Sequence, residues 1–170
     1  MKELEEIAAK LKTKDIIGLR EMSNKLIEDV FVSQEKKKVN AAIVAYALSK
    51  LLTKPHFVKS SYWLKFEEHV LEEMEKDVEP EKIIQDVIQD VINFDKNFGN
   101  YISDLIQHAR TKQASRLYAL GLSLSQACDL CNANKSEVLR YVGITKIHER
   151  EFTQSKTIQD RLKIAKKIFG

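Results

Sequence analysis

From the first residue, apolar positions fall at three- and four-residue intervals, the repeat that gathers side chains on one face of an α-helix. Leu4, Ile7, Ala8 and Leu11 form one such stripe within residues 1–12. Ile16, Leu19, Met22, Ser23, Leu26, Ile27 and Val30 form the next, with Thr13 as its expected cap and Gly18 as its weakest point. Ser33 resembles a third N-cap. Residues 39–52, VNAAIVAYALSKLL, are apolar around most of the helical circumference, which predicts the central, most buried helix of the N-terminal part. Pro55 should stop it, because proline lacks the amide donor and pushes its predecessor out of the helical region. Ser60 or Ser61 opens a fourth helix, SYWLKFEEHVLEEMEKD, whose Trp63, Phe66, Val70, Leu71 and Met74 stand opposite an acidic face. His69 lies next to that stripe and, with no partner nearby in sequence, reads as a core-edge residue rather than a ligand.

Glu79-Pro80 restarts the chain, with proline at a first-turn position it tolerates. From Ile83 to Ala109 the paired apolar positions keep one helical phase, so this stretch predicts one long helix, or two meeting near Gly99. Its apolar width makes it a candidate homodimer contact, although burial against the first four helices is the simpler use. The expected division is a helical bundle over 1–78, a long connecting helix over 79–109 and a C-terminal part over 110–170.

Punctuation sharpens in that last part. SRLYALG, residues 115–121, ends a helix with glycine where a left-handed C-terminal residue is wanted. Ser123 stands three residues before Gln126, the spacing of a capping box. After Cys131, Asn132 can take the positive φ of a tight turn. Asn134 caps again, and a helix over Lys135–Val142 is expected to end at Gly143. Two short capped helices about a turn of three or four residues, preceded by a longer helix, are the outline of a helix-turn-helix. Ala127 is small where the two helices would approach most closely, Leu130 faces their shared core, and Val138 with Tyr141 or Val142 supplies the buried face of the second. Beyond Gly143, ITKIHEREFTQSK reads as a loop, and Thr157 with Asp160 opens a closing basic helix.

Composition narrows the class. Of 170 residues, 44% are hydrophobic, and only five glycines and two prolines interrupt the chain, so the fold is read as all-α. A secretory leader pattern and an apolar run of membrane-spanning length are both missing from the sequence, so a cytoplasmic protein without a membrane partner is expected. The net charge of +3 is uneven. Residues 1–109 hold 16 Lys and Arg against 20 Asp and Glu, whereas residues 110–170 hold 12 against 5. A basic third on an acidic body suits a protein whose C-terminal end faces a polyanion.

Cys128-x-x-Cys131 has the spacing of a metal knuckle or a redox pair. Zinc would need two more ligands, and the local candidates, His108 and His148, do not form a second clustered pair. A thioredoxin-type role needs a βαβ context that the sequence lacks. Many helix-turn-helix proteins read S-L-x-x-A-A-x-L-L-G-hydrophobic-S across this region, which aligns Cys128 with the second alanine and Cys131 with the second leucine. Both then read as buried packing residues, a role free cysteine fills readily.

The segment from Arg116 to Gly143 resembles the helix-turn-helix of the short prokaryotic antitoxins that pair with PIN-domain ribonucleases, in which a leucine–tyrosine pair, here Leu117-Tyr118, precedes the capped element. It departs from that pattern at Asn132, where glycine is usual, and at Ala133, where a larger apolar residue is usual. The resemblance covers about thirty residues and implies a module that binds DNA or descends from one.

The residues expected to contact double-stranded DNA are Asn134, Lys135, Ser136 and Arg140 at the second capped helix, then Lys146, and Lys163, Lys166 and Lys167 on the closing helix. Arg140 is the best placed for a base edge or a phosphate. The competing class is a module that keeps this packing but binds a protein or a ribonucleoprotein. Enzyme chemistry has the least support, since glycine-rich phosphate loops, histidine-rich metalloprotease helices and nucleophile elbows are all missing from the sequence. No cofactor or metal is expected.

Overall fold

Every residue from Ala41 to Ser49 is buried in the computed structural model, which describes residues 2–98 and 104–152. A helix buried on all sides needs neighbours on all sides. This one, α3 (Lys36–Leu52), is packed by α1 (Lys2–Lys12), α2 (Ile16–Ser33), the short α4 (Pro55–Val58), α6 (Pro80–Asn97), α7 (Leu105–Leu120) and α8 (Leu124–Cys131). Two further helices, α5 (Ser61–Glu75) and α9 (Lys135–Phe152), complete an all-α fold among the described residues. One cluster of buried side chains runs from Leu4 on α1 to Val138 on α9.

Helix starts follow local chemistry, with two corrections to the expected caps. The cap of α2 is Asp15, not Thr13: the Asp15 carboxylate accepts the Gly18 amide at 2.8 Å, while Thr13 turns back to donate to Ala9 and Lys10 carbonyls at the end of α1. Gly18 is explained by this cap. A Cβ there would lie 2.0 Å from the Asp15 carboxylate, so any side chain would displace the capping group. Ser33 does not cap α3. It ends α2, after which Gln34 takes a left-handed φ of 55° and Glu35 stands at the cap position.

The apolar phase from Ile83 to Ala109 is shared by two helices rather than one. α6 closes at Asn97, and α7 opens at Leu105 after Asp104, whose φ is 60°. The stripe of α6, Ile83 through Phe94, is buried against α3, α5 and α7. The surface that suggested a homodimer contact is therefore used inside the chain. Around it Phe57, Trp63, Phe66, Phe94 and Phe98 pack mostly edge-to-face or tilted, with centroids between 4.4 and 5.9 Å apart, geometry favoured by the aromatic quadrupole.

A buried polar chain ties α7 to the centre. Ser23 on α2 donates to the Ala42 carbonyl of α3 at 2.7 Å and accepts from Gln113 Nε2 on α7 at 2.9 Å. Beside it Arg116 bonds to Asn24. Whatever α7 carries is thereby fixed to the bundle.

Candidate nucleic-acid interface

The last three described helices carry the residues singled out in the sequence. Ser123 and Gln126 close the capping box of α8, with Ser123 Oγ accepting the Gln126 amide at 3.2 Å and Gln126 Oε1 accepting the Ser123 amide at 3.3 Å. Asn132 adopts a φ of 50° and its amide reaches the Cys128 carbonyl. Three residues, Asn132–Asn134, separate α8 from α9. Asn134 Oδ1 then accepts from the amides of Ser136 at 2.8 Å and Glu137 at 3.4 Å.

Glu137 is held elsewhere. Its carboxylate accepts from the Thr111 hydroxyl of α7 at 3.2 Å. This bond, together with the fully buried Val138, seats α9 on α7 and fixes which face points outward. That face shows Ser136, Leu139, Arg140 and Gly143 at three- and four-residue intervals, all exposed, with Lys135 and Asn134 at its start.

The expected end at Gly143 is not observed. α9 continues to Phe152, so the segment read as a loop is helical as far as that residue. The helix passes Gly143 because a single glycine lowers propensity by only about 1 kcal/mol and does not itself terminate a helix. Lys146 lies on this extension, its side chain outside the described residues; Lys163, Lys166 and Lys167 and the closing helix also lie outside them.

Cys128 and Cys131 are free thiols, 2% and 1% exposed. Burial, and then Cys128, pushes the Cys131 thiol up to about 12 against a weaker lowering by Arg110. Burial also raises Cys128. Thiols held protonated in this way are poor nucleophiles and poor metal ligands.

The structure also gathers residues that lie far apart in sequence. Lys50, at the end of α3, has its ammonium destabilised first by burial and then by Arg20 of α2, Lys112 of α7 and Lys54. Lys50 Nζ stands 5.6 Å from the Tyr46 ring centroid and Lys112 Nζ 5.1 Å from that of Tyr141. His108 meets Tyr141 edge-on at 6.1 Å. Its imidazole is lowered by burial, Lys50 and Lys112. Asp104, Gln107, His108, Thr111, Glu137, Arg140, Tyr141 and Ile144 line a cleft of about 450 Å³ that reaches the exposed face of α9. One signal in the sequence pointed to the half-buried lysine: Lys50 is the sole charged residue of the apolar run 39–52.

Comparison of the chain with protein-family models, curated proteins and solved structures finds no match. No helix among the described residues is long and apolar enough to cross a membrane.

Proposed function

We propose that the chain binds double-stranded DNA, as a transcriptional regulator, by laying the exposed face of α9 into the major groove. The supporting observation is the outward strip of Lys135, Ser136, Leu139 and Arg140 on a helix that is capped at its start and braced from behind by Val138 and by Thr111–Glu137. Lys135 and Arg140 meet phosphates or guanine edges, Ser136 accepts or donates to a base, and Leu139 suits a thymine methyl. Asn134 is committed to the cap through its oxygen and acts by fixing the entry of the helix.

Affinity for random duplex DNA should fall linearly in log–log form as salt rises, by about 0.9 per phosphate neutralised. An Arg140→Ala, Lys135→Ala double variant with an unchanged melting temperature should lose roughly 2–5 kcal/mol of specific affinity and about two in the salt slope. Absence of duplex binding at low salt refutes the reading.

A specific observation favours the second reading, a protein- or ribonucleoprotein-binding module. Leu139, Ile144 and Leu120 are 50%, 52% and 43% exposed on the same three-helix unit, and exposed aliphatic side chains of this size suit a partner's surface. Salt-insensitive capture of a partner, lost in Leu139→Ser but kept in Arg140→Ala, would establish that alternative.

A further inference from the structure

Two contacts set α7 and α9 antiparallel along the cleft between them. Thr111 donates to Glu137 at 3.2 Å, and His108, a turn earlier on α7, meets Tyr141, a turn later on α9, edge-on at 6.1 Å. Each helix turns one face to the space, α7 through positions 104, 107, 108 and 111 and α9 through 137, 140, 141 and 144, the spacing of neighbours on a helix surface. The volume, about 450 Å³, falls among small-molecule sites, which run from about 300 to 1,000 Å³.

The lining is mixed in sign. Asp104 and Glu137 bring carboxylates and Arg140 a guanidinium, and the Lys112 ammonium stands 5.1 Å from the Tyr141 ring centroid, so the formal charges of these four side chains cancel. His108 adds none near neutral pH. Burial, then Lys50 and Lys112, lower its imidazole, which leaves one ring nitrogen to donate and one to accept. A balanced lining gives a net-charged ligand little electrostatic gain and suits a neutral one with donors and acceptors of its own. The rings of His108 and Tyr141 stand at 71°, a corner that takes the face of a flat heterocycle on one ring and its edge on the other.

We infer that this cleft binds a guanine base. Glu137 is engaged by Thr111, which leaves Asp104 as the carboxylate for a ligand. Asp104 stands at the cap position of α7 with a φ of 60°, yet its side chain makes no cap bond; it lines the cleft instead. An ionised carboxylate only accepts and a guanidinium only donates. Guanine is the one DNA base with two adjacent donors on one edge, N1–H and the 2-amino group, and two adjacent acceptors on another, O6 and N7. Asp104 suits the first pair and Arg140 the second, while Tyr141 supplies a stacking surface. The base comes either from a free nucleoside or from an unpaired guanine of a single strand. Arg140 is common to this cleft and to the face proposed for duplex DNA, but the binding of a base stands independently of that proposal.

The full chain is titrated with guanosine, with adenosine and with a single strand of thymidines around one central guanine, each in the millimolar range, and the ring signals of His108 and Tyr141 are followed by NMR. Guanosine should move both sets, and adenosine should bind at least about tenfold more weakly. Asp104→Asn keeps a residue type at home in the left-handed region and should leave the melting temperature unchanged while weakening guanosine at least about tenfold.

A strand that binds no tighter than guanosine assigns the site to a free nucleoside; a tighter one assigns it to an unpaired guanine. Ring signals that move with neither overturn the inference. So do adenosine as tight as guanosine, an all-thymine strand as tight as the guanine strand, an unchanged affinity in Asp104→Asn, and displacement of guanosine by an equal concentration of glycine, whose zwitterion offers an ammonium and a carboxylate to the same pair. Guanosine binding by a chain that ignores duplex DNA leaves the cleft standing while the DNA reading falls, and duplex binding with unmoved ring signals overturns the cleft alone.

Discussion

The Ser23–Gln113 bond tests how firmly the α7–α9 unit is joined to the bundle. Ser23 is fully buried and uses its hydroxyl twice, donating to Ala42 and accepting from Gln113. The other end of the same amide, Gln113 Oε1, is buried without a partner among the described residues. Ser23→Ala would therefore strand the Gln113 amide at both ends. An orphaned buried polar group costs about 1–3 kcal/mol, which for a chain of this size lowers the melting temperature by roughly 2–12 °C. Gln113→Met fills a similar volume and removes the already unpartnered oxygen, while Ser23 keeps its bond to Ala42, so its cost should stay below about 1 kcal/mol. In the Gln113→Met background, Ser23→Ala should then cost about 1–2 kcal/mol less than in the wild type. Urea denaturation of the four proteins gives this coupling directly. Ser23→Ala costs that agree within about 0.5 kcal/mol in the two backgrounds would refute the buried bond, and with it the fixed junction between α2, α3 and α7.

Further outcomes follow from the buried thiols and the turn. Cys131 and Tyr46 are each pushed up to about 12, against roughly 8.5 and 10 in an unfolded chain. Their protonated forms are thus favoured by folding, a contribution fully present below the unfolded values and lost as pH rises toward 12. Stability measured by urea should decline from about pH 9 upward, and Cys131→Ala should remove the earlier part of that decline. Thiol reagents should label neither cysteine at pH 8 until denaturant is added; fast native labelling would contradict their burial. At the turn, Asn132 holds a left-handed φ of 50°. Asn132→Val should cost about 1–2 kcal/mol, whereas Asn132→Gly should stay within about 0.5 kcal/mol of wild type by urea denaturation.

The helices were legible where one physical cue dominated. The run 39–52 announced a buried helix because almost every position is apolar, and the Ser123–Gln126 and Asn134 caps were visible because their partners lie two or three residues away. Cues failed where two options competed locally. Thr13 and Asp15 could each begin α2, and the carboxylate takes the amide; a continuous apolar phase left both one helix and two meeting near Gly99 open, and the structure ends α6 at Asn97 and starts α7 at Leu105. The charged surroundings of Lys50 were hidden for a different reason. Arg20, Lys50 and Lys112 are separated by thirty residues or more in a sequence whose first 109 residues are acidic overall, so charge summed along the chain obscured charge gathered in space. His69 shows the same limit. Of its two carboxylate neighbours, Asp90 at 3.5 Å lies a full helix away on α6, whereas Glu73 at 3.9 Å stands four residues on and corrects the reading that no partner is near in sequence.

Gly143 joins the question of fold to that of function. As the end of a helix it would need a left-handed φ, and alanine there would destabilise the protein by about 1 kcal/mol. In the continuous α9 it sits mid-helix, its φ is not positive, and a Cβ built on it meets nothing within 4 Å. Gly143→Ala should therefore raise stability by about 0.5–1 kcal/mol through a smaller entropy loss on folding. The new methyl would nevertheless project from the face that carries Ser136, Leu139 and Arg140. If that face lies against DNA, the same substitution places a carbon where a groove wall or phosphate approaches, and affinity should fall while the melting temperature rises. A stabilised variant with unchanged DNA affinity would keep the continuous helix and remove this face from the interface. A destabilised one would return the helix end to Gly143.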